Sequence, residues 1–308
     1  MSATTTTTAT AARPASGRGP HWLRLPHWRF AGRHPQGALA LGLGLLALIV
    51  LACIFVPMIS PYSATAIAGA PMQPPSFAHP FGTDTVGRDV FVRTWLGGRN
   101  DLMMVVMVVL ASSVIGTLVG VVAAMSSTVT DSILMRITDA LISFPGMIIV
   151  MAIALVFSDM GEVGPFPRGA LPAVIAIVVI NWASYTRLVR GEALSLRSRD
   201  FITAATLLGY SKARIVRRHL LPNLATTVVA YMVVDAIVAV VTIAGMPFIG
   251  AGIQPPAPEW GSLMLAGATV LYTAWWVTVM PGVVVTVYGI ALSLIADSLL
   301  AEVDGGAR

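Results

Sequence analysis

About six apolar runs, most near or above the length of a bilayer-spanning helix, constrain this chain more than any other feature. They cover residues 37–58, 102–125, 132–157, 170–183, 223–249 and 276–299. A bilayer core takes about 20 residues of helix, so 308 residues leave little room for anything but membrane. Composition agrees: 11% of residues are charged, where a soluble domain carries roughly a quarter. Mean hydropathy is +0.82. A membrane barrel would alternate apolar and polar residues in strands of about ten, and these runs do not alternate. The expected fold is an all-α integral membrane protein with about six transmembrane helices.

Residues 1–36 are polar, with a threonine run and five arginines but no acid; nothing there can bury a core, so a disordered basic tail is expected. The first apolar run exceeds the 7–15 residues of a signal h-region and follows a long leader, so it reads as an uncleaved helix. The transmembrane domain is placed at 37–300, with a short tail at 301–308. Basic residues set the orientation. With the N-terminus inside, 15 Lys and Arg fall on cytoplasmic segments and 4, namely Arg88, Arg93, Arg99 and Arg168, fall outside. Both termini are therefore expected in the cytoplasm, N-in and C-in.

Several functions are excluded. Lys212 is the only lysine and follows Ser211, so no Gly-Lys phosphate loop exists, and any ATP that drives the protein is bound by another chain. The single Cys53 forms no internal disulfide or thiolate cluster. The five histidines lack metal-ligand spacing, and no nucleophile elbow or zincin sequence occurs. The pI of 9.9 comes from tail and loop arginines beside membrane spans, which argues against nucleic acid as a partner. No catalytic residue, cofactor or metal is expected in this chain.

The segment between runs four and five, 199–222, carries the most information. Asp200 reads as an N-cap and Gly209 as the left-handed residue ending a short helix. Ser211 caps a second short helix that Pro222 limits. Phe201, Ala204, Ala205 and Leu208 share one face by helical spacing, and Lys212, Arg214, Arg217 and Arg218 ring the second helix. A bent helix pair with an apolar face and a basic collar suits docking to a partner. Arginines contacting lipid headgroups are the blander reading.

This segment resembles the conserved cytoplasmic loop of ABC-importer permease subunits, with Ala204, Ala205, Gly209, Leu221 and Pro222 in register. The stretch His79-Pro80-Phe81-Gly82-Thr83-Asp84, continuing through Gly87-Arg88-Asp89, is similar to a signature of the dipeptide/oligopeptide/nickel permease family. So are Arg136, Asp139, Phe144 and Pro145; Trp182, Tyr185, Arg187, Leu188 and Arg190; and residues 250–261, Gly-Ala-Gly-Ile-Gln-Pro-Pro-Ala-Pro-Glu-Trp-Gly. The chain most resembles the second permease of such a pair. The resemblance implies a bacterial cytoplasmic (inner) membrane importer for di- or oligopeptides or similar small solutes. Its implied partners are a second homologous permease, two ABC ATPase subunits or one fused ATPase, and an extracytoplasmic substrate-binding protein. ATP and Mg would be bound by the ATPase alone. Phe201, Thr203, Ala204, Ala205, Leu208 and Gly209 would form the coupling helix, with Arg214, Arg217 and Arg218 as its collar. Thr203 stands where the family has glutamate, Ile243 where an acid is frequent, and Met246-Pro247 where Leu-Ser is usual.

Asp235 falls within run five, where a carboxylate is costly and faces a cavity or a partner. It reads as a translocation-path contact or as an acid paired or protonated inside the bundle. Asn181 lines the path or anchors at the interface. Gly116 and Gly120 permit close packing, within the chain or with the sister permease. Pro145 is expected to kink run three, and residues 88–96 to form an amphipathic surface helix. The alternative to an importer subunit is a stand-alone proton-coupled transporter using Asp235.

Overall fold

The computed structural model describes residues 35–157 and 159–306. The expected disordered tail lies outside these residues, apart from its last two positions. The described chain is helical: α1 (Pro35–Ile59), α2 (Val90–Met125), α3 (Thr128–Ser143), α4 (Gly146–Val156), α5 (Ala170–Arg197), α6 (Asp200–Leu207), α7 (Lys212–Ile215), α8 (Leu221–Gly245), α9 (Trp260–Ala268) and α10 (Trp276–Gly306). A π-helical turn, Val216–Leu220, joins α7 to α8, and a 3₁₀ turn, Met246–Ile249, follows α8. Two isolated bridges are the β pairing among the described residues.

Five helical stretches are long and apolar enough to cross a membrane: α1, α2, α5, the continuous Lys212–Ile249 stretch and α10. The third expected span is not a kinked helix. It is the pair α3 and α4, bent by 90°. The break sits at Phe144-Pro145, where Phe144 is extended (φ −79°, ψ 144°). A proline ring clashes with a helical residue before it and removes an amide donor, so Pro145 breaks the helix here.

The most extensive helix contact is α2 on α5. Gly116 and Gly120 make it possible. A β-carbon on Gly116 would lie 2.6 Å from the Trp182 carbonyl oxygen, and one on Gly120 would lie 2.9 Å from that of Thr186. The Gly-x-x-x-Gly pair therefore packs inside this chain. Thr186 Oγ1 crosses the same contact, donating to the Gly116 carbonyl at 3.3 Å. Beside it, α10 packs on α1, α8 and α9, and a central core joins Met104, Val108, Ile177, Ile243, Trp260 and Tyr288.

Helix α2 starts twelve residues before the expected span. Asp89 is its N-cap, accepting the Val92 amide at 2.8 Å, and its other oxygen meets His79 Nδ1 at 2.7 Å. The expected surface helix over 88–96 is instead the first turns of α2. Val90 is wholly buried there with Ala274, Trp276 and Val277. The loop before it satisfies itself: Asp84 accepts the amides of Val86 and Arg88 and the Arg88 side chain at 2.7–2.9 Å. Arg93 donates to the Ala64 carbonyl at 2.5 Å. The His79–Asp89 motif is thus scaffold.

Candidate functional site

At one end of the bundle the chain turns back on itself between α5 and α8. Arg199, not Asp200, occupies the N-cap of α6, and Asp200 takes the first turn, where its charge complements the helix dipole. Gly209 is left-handed (φ +79°), and the Tyr210 amide reaches back to the Ala205 carbonyl at 3.1 Å, closing the C-terminus. Ser211 then caps α7, accepting the Arg214 amide at 3.4 Å. Pro222 does not end this second helix. It lies in the first turn of α8, and the wider π turn before it carries α7 into α8. A π turn shifts bonding to i+5, here from the Leu221 amide to the Val216 carbonyl, one residue before the proline that has no amide to give.

The elbow is held by a second core. Ile202 and Ala205 of α6, Ile215, Leu220 and Leu224 pack on Val121 and Ala124 of α2 and on Val189, Ala193 and Leu196 of α5. Arg197 donates to the Ala124 carbonyl, and Lys212 to that of Met125 at 3.5 Å. Helix α6 therefore has two faces, and the expected single face is divided between them. Ala205 turns inward at 5% exposure, whereas Phe201, Thr203, Ala204, Leu208 and Gly209 are exposed. Leu208 is 75% exposed and Leu207 83%. Leu207 was not anticipated, because helical spacing sets it off the Phe201 stripe; its position at the last turn before Gly209 makes it part of the tip.

Arg214, Arg217 and Arg218, with Ser211 and Ala213, line a cleft of about 610 Å³. Arg214 lies 5.1 Å from the Tyr210 ring, and Tyr210 stacks on His219 at 6.1 Å. Among the described residues no salt bridge reaches these three arginines. An exposed leucine pair beside unpaired guanidinium groups can bury apolar surface and meet carboxylates on another protein.

Asp235 and Asn181 come together deeper in the bundle. Asn181 Nδ2 donates to both Asp235 carboxylate oxygens at 2.8 and 2.9 Å, and the Tyr185 hydroxyl donates to Oδ2 at 2.9 Å. Asp235 is 3% exposed. The carboxylate is therefore covered and bonded between α5 and α8. Nearer the elbow, Arg190 holds both oxygens of Asp131 and Arg187 reaches Asp139 at 2.6 Å, tying α3 to α5.

At the far end of α8, residues 250–260 fold over α2. Asn100 Nδ2 donates to the Pro258 carbonyl at 2.9 Å, Trp260 Nε1 to the Thr94 carbonyl at 2.9 Å, and the Trp260 amide to Asp101 at 3.0 Å. Glu259 accepts the Ile253 amide at 2.9 Å; burial pushes its carboxyl well above the ordinary glutamate value. This loop walls a cavity of about 780 Å³ that Met151, Leu155, Asp159 and Arg168 also line, and the Gln254 amide donates to the Arg168 carbonyl at 2.9 Å.

The described residues thus form a multi-pass helical bundle with an exposed basic elbow between α5 and α8. The profile of the binding-protein-dependent transport system inner membrane components matches residues 116–307, and the chain belongs to that family, the permease subunits of ABC importers. It is 31% identical over 265 residues to the oligopeptide transport system permease protein OppC of Bacillus subtilis strain 168, spanning 85% of this chain and 84% of OppC. It is 33% identical over 266 residues, 86% of each chain, to a Brucella suis biovar 1 protein whose name assigns it to a peptide transport system as permease. A crystal structure of an amino acid ABC transporter aligns with 64% of this chain and 88% of its own at 17% identity, TM-score 0.46.

Proposed function

We propose that this chain forms half of the membrane path of an ATP-driven peptide importer and takes its power stroke through the 199–222 elbow. The observation that carries this reading is the elbow itself. Leu207 and Leu208 stand exposed a few residues before three arginines that no salt bridge reaches among the described residues, on a short helix anchored through Ile202 and Ala205 to three long ones. A partner gripping the tip therefore moves α2, α5 and α8 together. Peptide as cargo is supported by the names of the relatives matched along most of both chains.

In this reading the elbow lies in the cytoplasm, where 15 of 19 basic residues fall when the N-terminus is inside. A second homologous permease closes the path. Two ATPase subunits or one fused ATPase bind ATP and Mg beneath it, and a binding protein delivers cargo at the 250–260 side. ATPase closure favours one of two bundle arrangements through its differential contacts with the elbows. The covered Asp235 carboxylate acts as an internal tie between α5 and α8 rather than as the proton site of a stand-alone transporter.

The test is purification of the tagged chain from its native host in mild detergent, with identification of whatever remains bound. Recovery of an ATPase and a second permease, with the ATPase lost in Leu208→Arg, supports the reading. A chain that purifies alone and drives proton-coupled uptake sensitive to Asp235→Asn overturns it.

A further inference from the structure

The bonds that tie residues 250–260 to α2 leave one oxygen over on each of two acids. Asp101 spends Oδ2 on the Trp260 amide and Glu259 spends Oε2 on the Ile253 amide. Asp101 Oδ1 and Glu259 Oε1 are buried with no hydrogen-bond partner among the described residues, and both side chains are 0% exposed. The two acids belong to one clamp. Glu259 immediately precedes Trp260, and Gly97, one turn before Asp101, lies so close that a β-carbon there would be 3.2 Å from Glu259 Cα.

Nothing nearby neutralises them. Among the described residues no salt bridge reaches either acid. The titratable groups facing Asp101 from the packed elements are Glu259 itself, the Cys53 thiol of α1 and the Tyr288 phenol of α10; each is neutral or becomes an anion. Two carboxylates in a dry site without a cation repel strongly, and such pairs resolve the conflict by sharing a proton.

We propose that Asp101 and Glu259 hold one proton between them, and that this proton latches residues 250–259 onto α2. With one carboxyl neutral, its O–H donates to the oxygen left over on the other, and both orphaned atoms are satisfied. Loss of the proton sets two buried anions against each other. Pro258 and Trp260 stay held by Asn100 and Thr94, so the strain falls on the arm that Glu259 holds through Ile253. That arm includes Gly250, Ala251 and Gly252, which wall the 780 Å³ cavity. Gly250 is left-handed, with open space where a β-carbon would stand, and a backbone of that kind can serve as the hinge. The proton thus sets the shape of one wall of the cavity.

The latch does not rest on the importer reading, and a failure of uptake or of ATPase recovery leaves it standing. It is tested by hydrogen exchange of the 250–260 amides in the purified full-length chain between pH 6 and 9, with rates corrected for intrinsic pH dependence. In detergent both ends of the bundle meet the same buffer. Protection in the wild type is expected to fall roughly tenfold per pH unit once the pair titrates, the limiting slope for release of one proton. The α2 amides at 116–120 keep theirs. Asp101→Asn and Glu259→Gln each supply an amide donor in place of the shared proton, so each is expected to stay protected without a slope. Flat wild-type protection overturns the proposal without recourse to any variant. A slope that survives in either variant, or one shared by residues 116–120, overturns it as well.

Discussion

Gly116→Ala and Gly191→Ala make the same chemical change on the two helices of the principal contact, and they should move stability in opposite directions. On Gly191, in α5, the added methyl meets nothing within 4 Å, so the helix gains up to about 1 kcal/mol of propensity. On Gly116 it drives into the Trp182 carbonyl, 2.6 Å away, and the Thr186 amide, 3.0 Å away. These are backbone atoms of another helix, which cannot rotate aside, so α2 and α5 must separate. Overpacking of this kind costs about 1–3 kcal/mol, and a backbone obstacle places it at the upper end. Allowing for the same propensity gain leaves a net loss of about 2 kcal/mol, or a difference of roughly 3 kcal/mol between the variants. At about 2–4 °C per kcal/mol for a chain of 150–250 residues, thermal unfolding in detergent should separate them by several degrees. Equal midpoints, or a Gly116 variant more stable than wild type, would refute the packing argument for the Gly-x-x-x-Gly pair.

Leu208→Arg should leave thermal stability within about 0.5 kcal/mol of wild type, as an exposed substitution does, while abolishing co-purification of an ATPase; Leu207→Arg should do the same. Asn181→Leu strips Asp235 Oδ1 of its donor and should cost about 2–3 kcal/mol; Tyr185→Phe should cost less, because Oδ2 keeps Asn181, and unfolding midpoints rank the two. Burial raises the Glu259 carboxyl from 4.5 to about 8, so its neutral form is the stabilising one. That contribution is whole below the ordinary glutamate value and is lost as pH rises through about 8. Unfolding midpoints at pH 5 and 8.5 should show the loss in wild type and not in Glu259→Gln.

Length and apolar content made the spans legible, because a bilayer demands both at once. What they did not show was which apolar residues meet protein and which meet lipid. Residues 88–96 read as an amphipathic surface helix, yet Val90 is wholly buried against Trp276 and Val277, since a partner so far along the chain leaves no mark on local periodicity. On α6 the same blindness put Ala205 with Phe201, although Ala205 packs inward with Ile202. Pro145 was visible as a disturbance, but the 90° bend it produces depends on how α3 and α4 are each held against α5. Gly209 and Ser211 were readable because their conformations are local: a positive φ and a side-chain cap. Asp101 passed unnoticed at the edge of an apolar run; a carboxylate so placed, beside a Pro-Glu-Trp loop far along the chain, is a signal only once the fold joins them.

What is left exposed differs between the two ends of the bundle. At the 250–260 end, Asp84, Asp89, Arg93, Asn100 and the Trp260 indole all find partners within the chain, which fixes loops that contain little regular structure. At the elbow end the interior is closed by Ile202, Ile215 and Leu220, but Leu207, Leu208, Arg217 and Arg218 are left exposed. Exposed leucine costs free energy in water, roughly 25 cal/mol per Å² of apolar surface, and a chain gains nothing by holding two at a helix tip beside repelling guanidinium groups. In the proposed importer that cost is recovered by the ATPase, which would cover the leucines and meet the arginines with acids. The membrane-facing leucines and valines of α1 and α2 need no such partner, because lipid covers them. In the proposed orientation the elbow, between α5 and α8, lies beyond the hydrocarbon core.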